Sequence, residues 1–541
     1  MKKIKYIIIA LLAIQWMTVT SCSDWLDLMP YDGVPSDEYW KTKEDVRAVV
    51  NGAYLSMTTA DIVQRMFLYG EWRADMVGDG KRPNSNVTGV FNGEISPENT
   101  FLDWSSFYNT INICNTILKY APVAQANDPS FSETQLKEYE AQAIAIRSLM
   151  YFYLVRSFGD VPLVLEAYSN ASQPMSIAKT SQEEILDVLV SDLTGIEQII
   201  PSRYSTTDPA QNKGRMTVWA VKALLADIYL WKEEYENCYR KCNEIIESGQ
   251  FTLIPVRREE IILESSDEEE EGEGGESEPV IVYHPDQSSY YSLFDQLYYQ
   301  GNSAESIFEI QFSTEGLNPF YTMMSSSRGY LGVKVDHLSL DVFIPTGYED
   351  TEYFDIRSVI CQKKNTIWKY IGIEPNGTER AEEEFSGNYI IYRLAEIYLM
   401  KAEALTQMGI QAGDNQDYLQ EARDILEKIR ERSNAVEATD LTFQMDTYDG
   451  KTMEKFVLEE RGRELIYEGK RWFDVLRQAK RGGYEGGNLD YLLELAQYSA
   501  PADKVSSLQS KYRNYHSHYL PIYSEELDVN PLLVQNEFYA N

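Results

Sequence analysis

Histidine and cysteine are both scarce in this chain of 541 residues, with four of the first and five of the second. No Cys-x-x-Cys pair occurs, which removes the commonest zinc and dithiol redox arrangements. Cys238 and Cys242 stand four apart on an expected helix, a poor geometry for a disulfide, and Cys114 and Cys361 are isolated. His284 and His337 are isolated as well. His516 and His518 lack a third ligand and read as two polar residues on one face of a strand. Also missing are a Gly-x-Ser-x-Gly nucleophile elbow, a His-Glu-x-x-His zinc motif and a phosphate-cradling glycine loop. Carboxylate pairs of the glycosidase kind carry no information where 85 acids are present. The composition therefore argues against an enzyme, and no cofactor or metal is called for.

Positive charge is short too. The chain has 49 basic residues against 85 acidic ones, a formal charge of −36. Such a surface repels phosphate backbones, which excludes nucleic acid as a partner, and repels anionic lipid headgroups equally. No apolar run reaches the roughly 20 residues that a membrane-spanning helix needs.

What is present begins at the N-terminus. Lys2, Lys3 and Lys5 precede an uninterrupted apolar run from Ile7 to Ile14, followed by Val19-Thr20-Ser21-Cys22. This is the layout of a cleavable secretory signal over residues 1–21. An aliphatic residue three before a cysteine, with small residues between, resembles the bacterial lipobox. Cys22 is then the site of lipid attachment. One acyl chain holds a protein only marginally, whereas the two or three of a bacterial lipoprotein hold it stably. Loss of residues 1–21 removes three lysines and no acid, moving the charge from −36 to −39.

About 520 mature residues exceed one ordinary hydrophobic core, so two closely packed lobes are expected, over 22–260 and 281–541. Between them, Glu264 to Glu278 has no apolar residue, and 261–280 reads as an acidic, disordered loop. Ser181 and Glu184 form a capping-box pattern ahead of Ile185, Leu189, Leu193, Ile196 and Ile200 at helical spacing. Gln135 to Phe158 is apolar on most faces, as a core helix would be, and stops at Gly159 with Pro162 just beyond. Arg215 to Ser248 and Tyr389 to Arg432 each read as two helices packed through small alanines, in the manner of tetratricopeptide repeats. The fold class expected is mainly α, with tetratricopeptide-like helical hairpins as a scaffold, long loops and a few short strands.

Several of these landmarks together resemble the SusD/RagB family of outer-membrane nutrient-binding lipoproteins. Cys22 to Asp27 is similar to the family's mature start. Trp104, Tyr108, Ile111, Asn115 and Ile117 match its first long helix, Arg147 to Pro162 its most telling stretch, and Ser306 to Phe312 its buried strand. In the second half Tyr392 to Leu399 with Ala402-Glu403-Ala404 agrees, as do Glu459 to Leu465, Gly469 to Asp474, Tyr519 to Ile522, Leu527 to Pro531 and Gln535-Asn536. The charges of Glu460, Arg461, Arg463, Glu464, Lys470 and Arg471 read as ion pairs along a helix that hold this region against the hairpins.

The resemblance implies a lipid-anchored protein on the outer membrane, facing the cell exterior. It would bind oligosaccharide and deliver it to a TonB-dependent, SusC-like outer-membrane transporter. The alternative is a peptide-binding or adhesive helical-repeat lipoprotein. A sugar binder needs aromatic faces with amides and charges around them. Candidate groups outside the framework motifs are Lys81, Arg82, Asn84, Asn86 and Phe91 in one loop. Tyr290, Tyr291, Tyr298 and Tyr299 follow the acidic loop, with Phe320 and Tyr321 further on.

Overall fold

The computed structural model describes residues 39–168, 176–263, 280–334, 355–372, 378–435 and 449–540. The signal segment, Cys22, His337 and residues 264–279 of the acidic stretch lie outside them. The described chain is mainly helical with a few short strands, as the periodicities predict.

The Glu133–Phe158 helix is the hub of the N-terminal half. Ser132 and Gln135 close a reciprocal capping box at its start, and Gly159, at φ 75°, ends it. From Ala141 onward nearly every side chain is buried. Helices Lys43–Met57, Ser105–Asn127, Gln182–Ile196 and Val218–Trp231 all pack against it. A helix enclosed on every side needs no polar face, which is why its sequence shows almost no amphipathic period. At the start of Gln182–Ile196, Ser181 Oγ accepts the Glu184 N–H at 3.2 Å, and Ile185, Leu189, Leu193 and Ile196 are buried.

The first hairpin consists of helices Val218–Trp231 and Tyr235–Glu247, and the second of Leu394–Gln411 and Gln416–Arg432. Helix Tyr235–Glu247 lies against Leu394–Gln411, joining the two pairs. Ala402 and Ala404 are fully buried, and Cys238 and Cys242 are both buried free thiols. The second pair starts later than its sequence suggests. Tyr389–Arg393 is a fully buried strand paired antiparallel with Ser306–Ile310, so Tyr392 belongs to a sheet and not to a helix. Tyr-Ile-Ile-Tyr is a run of strand-favouring residues, and a short apolar run cannot be told from buried helix by period alone.

Arg258–Leu263 and Val280–Pro285 pair antiparallel in register, so the strands of a hairpin take the two ends of the stretch expected as loop over 261–280. The His516–His518 segment is likewise not a strand but a short 3₁₀ helix, Tyr515–His518. Asn514 caps it by accepting the His516 N–H. The main hydrophobic cluster draws on residues from Trp40 to Leu533 in both halves of the chain, and a smaller one lies inside the second hairpin and the Gly450–Glu464 helix.

Candidate functional site

Two of the aromatic and polar groups singled out above are drawn to one surface ledge by backbone pairing. Strand Val77–Asp79 pairs with Leu331–Val333. Beyond it the Gly80 N–H donates to the Tyr330 carbonyl at 2.9 Å and the Arg82 N–H to the Gly329 carbonyl at 3.0 Å. Gly80 permits this approach, since a Cβ there would run into the Gly329 and Leu331 carbonyls, and Gly329 closes its own turn, where a Cβ would strike the backbone of Met324 and Ser325. The loop carrying exposed Lys81 and Arg82 is thereby set beside the turn 325–329 and the helix Phe320–Met324.

The ledge continues through residues 378–384. The Ser326 N–H donates to the Glu379 carboxylate at 3.2 Å, and Arg328 pairs with Glu382 at 3.5 Å. The Tyr321 ring stands edge-on to Phe385 at 4.9 Å, with the Arg328 guanidinium 5.8 Å from its centroid. Arg380 lies 3.3 Å over the Tyr299 ring and pairs with Asp295 at 3.3 Å. The partly exposed Tyr299 and Tyr321, with Arg328 and several carboxylates, therefore line this surface beside the loop of Lys81 and Arg82, while Arg380 lies mostly buried over one face of the Tyr299 ring. This mixture can hold an apolar ring face while donating to and accepting from hydroxyls around it.

The other candidates fall elsewhere. Asn84 caps the Ser85–Phe91 helix, and Asn86 donates to Thr100 at 3.1 Å, so both amides hold the loop together. Phe91 is buried at the end of that helix. Tyr290, Tyr291, Tyr298 and Tyr299 lie on one continuous helical run, Gln287–Phe294 extended by a π-turn over Asp295–Gln300. Tyr290 is buried against Tyr291, about 13 Å along the axis from Tyr299 at 1.5 Å per residue. Tyr298 is 4 % exposed and its hydroxyl donates to Glu468 at 3.2 Å. Phe320 is fully buried and stacked on Tyr370 at 4.6 Å. Phe91, Tyr298 and Phe320 are thus core residues with almost no surface to offer a ligand. Sequence reasoning missed Arg328, Glu379 and Arg380, whose local sequence carries no signal and which only long-range contacts bring to the ledge.

The charged C-terminal motifs form the framework behind it. Glu460, Arg461, Arg463 and Glu464 are buried on the Gly450–Glu464 helix. The expected pairing along the helix holds for Arg463–Glu460 at 2.9 Å. The other pairs reach across elements: Arg461 to Asp474 at 2.8 Å, Glu460 to Arg357 at 2.7 Å, Glu464 to Arg393 at 2.6 Å, Lys470 to Glu396 at 3.0 Å and Arg471 to Asp75 at 3.0 Å. Burial by itself would raise the Glu468 carboxyl, but Arg393 and Lys369 beside it hold it down to about 2. Such pairs must stay matched, because a lone charge left in the interior is costly.

His518 is buried. Its Nε2 meets the Tyr512 carbonyl at 2.8 Å and must be the donor there, leaving Nδ1 to accept from the Tyr484 hydroxyl, also at 2.8 Å. Burial lowers its pKa to about 4, so it is a neutral structural ring. Among the described residues no group of three or more His, Cys, Asp or Glu side chains converges as a metal site, and no helix is long and apolar enough to cross a membrane.

Helical hairpins braced by a buried ion-pair network form the scaffold, and the aromatic and charged ledge is its candidate site. Comparison with known proteins makes the class specific. A family model described as starch-binding and associating with the outer membrane matches residues 24–230, and the SusD family model matches residues 350–539. The chain belongs to the SusD/RagB family. A SusD-like protein of Formosa agariphila is 27 % identical over 511 residues, covering 89 % of this chain and 93 % of that protein. A SusD superfamily protein from Bacteroides vulgatus has a solved structure with 19 % identity and a TM-score of 0.66, covering 93 % of this chain and all of the other. A SusD-like protein from Bacteroides fragilis matches at 17 % identity with the same TM-score, covering 93 % and 98 %. At these identities the solved structures speak for the fold.

Proposed function

We propose that this protein captures oligosaccharide at the cell surface, held to the outer membrane by acyl chains on Cys22, and passes it to a TonB-dependent transporter without cleaving it. The observation that carries the reading is the ledge, where Tyr321 lies beside Arg328 and Tyr299 under Arg380, next to the exposed loop of Lys81 and Arg82. Partly exposed rings flanked by guanidinium and carboxylate groups suit the alternating apolar faces and hydroxyl edges of pyranoses. A shallow open surface gives modest affinity, which fits a protein that must surrender its cargo. The family's description as starch-binding and associating with the outer membrane supports both the ligand class and the location.

Calorimetry with a panel of neutral oligosaccharides tests the reading. Saturable heat that weakens in a Tyr299→Ala, Tyr321→Ala double variant, with intact sugar recovered afterwards, is the expected result. Shortened chains in the recovered sugar would replace capture by catalysis, and recovery of the protein alone after gentle detergent extraction would remove the transporter from the proposal.

A further inference from the structure

Sharing no residue with the ledge is a cleft of about 510 Å³. That volume lies within the range of small-ligand pockets. Its aromatic lining comes from Trp231, Tyr484, Tyr515 and Tyr519.

Two turns with left-handed backbone meet at its rim. Glu233, at φ 62°, closes the turn after Val218–Trp231. Gly482, Gly483 and Tyr484, at φ 56°, 70° and 68°, form the other. The Gly482 N–H donates to the Glu233 carboxylate at 3.3 Å, tying the two together. A non-glycine residue in this region is strained, and such strain persists only where the surroundings hold it. The Tyr484 ring lies parallel to Tyr515, with centroids 4.0 Å apart and planes 10° apart. The Tyr484 hydroxyl is fixed by His518, and the Tyr519 hydroxyl by Gln182 at 3.0 Å. Tyr515 itself is 46 % exposed. Its stack is thus a rigid platform whose outer ring remains open to solvent.

Donors and acceptors stand around this platform. Lys480 lies 4.1 Å over the Trp231 ring, and no hydrogen bond or ion pair engages its ammonium among the described residues. Glu183, exposed on the helix Gln182–Ile196, also lines the cleft. An anion would meet Glu183 and Glu233, and a cation would meet Lys480 and Lys232. A neutral polyhydroxylated ring uses both signs of group at once, through hydroxyls that donate and accept.

We infer that this cleft is a second carbohydrate site, in which a neutral pyranose lies on Tyr515 while its hydroxyls reach Lys480, Glu183 and Glu233. A chain of sugars engaged at two places on one protein gains avidity without a new contact at either.

The test is calorimetry on the full chain in detergent with maltohexaose, laminarihexaose, mannohexaose and xylohexaose. At least one of these sugars binds the cleft, and Tyr515→Ala weakens that event by about five- to tenfold, as loss of a stacking ring should. Tyr515→Phe keeps the ring and stays within about twofold of the parent. The same sugar at saturation shields Lys480 from reductive methylation, read by mass spectrometry. Binding that Tyr321→Ala weakens and Tyr515→Ala leaves unchanged would overturn the second site and keep the ledge. The reverse would keep the cleft and overturn the ledge. No binding by any of the four sugars, or full Lys480 labelling at saturation, overturns the second site.

Discussion

Arg393 grips Glu468, 75 residues further along the chain, through Nη2 to Oε1 at 2.7 Å and Nε to Oε2 at 3.0 Å, and neither side chain is more than 1 % exposed. Lys369 reaches the same carboxylate at 2.7 Å. The strand that ends at Arg393 is in this way pinned to the turn between the Gly450–Glu464 helix and the segment starting at Arg471. Glu468→Ala leaves two cations facing each other in the core. The expected cost is about 3–5 kcal/mol, the range for breaking a buried pair from one side, measured as a lowered urea midpoint at unchanged slope.

The same carboxylate gives an acid limit. Its folded pKa is held down to about 2, below the ordinary value of 4.5, so the stability it contributes is fully present above pH 4.5 and is lost as pH falls towards 2. Glu464 is lowered as well, against the raising effect of burial, by Arg432, Arg393 and Arg357. Circular dichroism should show a steep acid transition between these limits, and full retention of helix at pH 2.5 would contradict it.

Glu71 has the opposite sign. It is fully buried, and burial raises its pKa to about 8 even though the Gly469 and Lys470 N–H groups donate to Oε1. Between 4.5 and about 8 the folded chain holds a proton that the unfolded chain has lost, so this contribution to stability declines as pH rises through that window. Glu71→Gln keeps the accepting oxygen and removes the charge. It should flatten the decline and raise the midpoint of thermal unfolding at pH 8.5, and an unchanged pH profile would show that Glu71 is ionised throughout.

Neighbouring tyrosines should respond differently. Tyr298→Ala opens a cavity among Phe294, Tyr370 and Glu468 and should cost about 3–5 kcal/mol, as for other large aromatic truncations. Tyr299→Ala, on the ledge under Arg380, should leave thermal unfolding nearly unchanged and weaken oligosaccharide binding about three- to tenfold. Equal melting temperatures for the two variants would refute this division.

Cys22→Ala should abolish acyl labelling and move the protein from the membrane to the soluble fraction, because a strongly acidic surface gives no attraction to anionic lipid. Continued membrane fractionation of that variant would point to another means of attachment.

The helical scaffold is legible in local sequence. Capping residues, 3.6-residue periodicity and the alanines of the hairpins are local signals, legible at Ser181, Gly159 and Ala402 without knowing what lies across from them. Local sequence also located the charged C-terminal motifs, though not how deeply they are buried or that most of their partners lie on other elements. Tertiary structure alone decided which rings face solvent. Tyr298 and Tyr299 are adjacent identical residues on one helix, and only the packing of Glu468 on one side and Arg380 on the other makes the first core and the second surface. The ledge was half visible for the same reason. Lys81 and Arg82 stand in a recognisable loop and Tyr321 in an aromatic pair, whereas Arg328 and Arg380 become part of it only through strand pairing and contacts across 50 or more residues, as between Arg328 and Glu382. A periodicity records one element's own faces, and a binding surface depends on the order in which several elements are folded together.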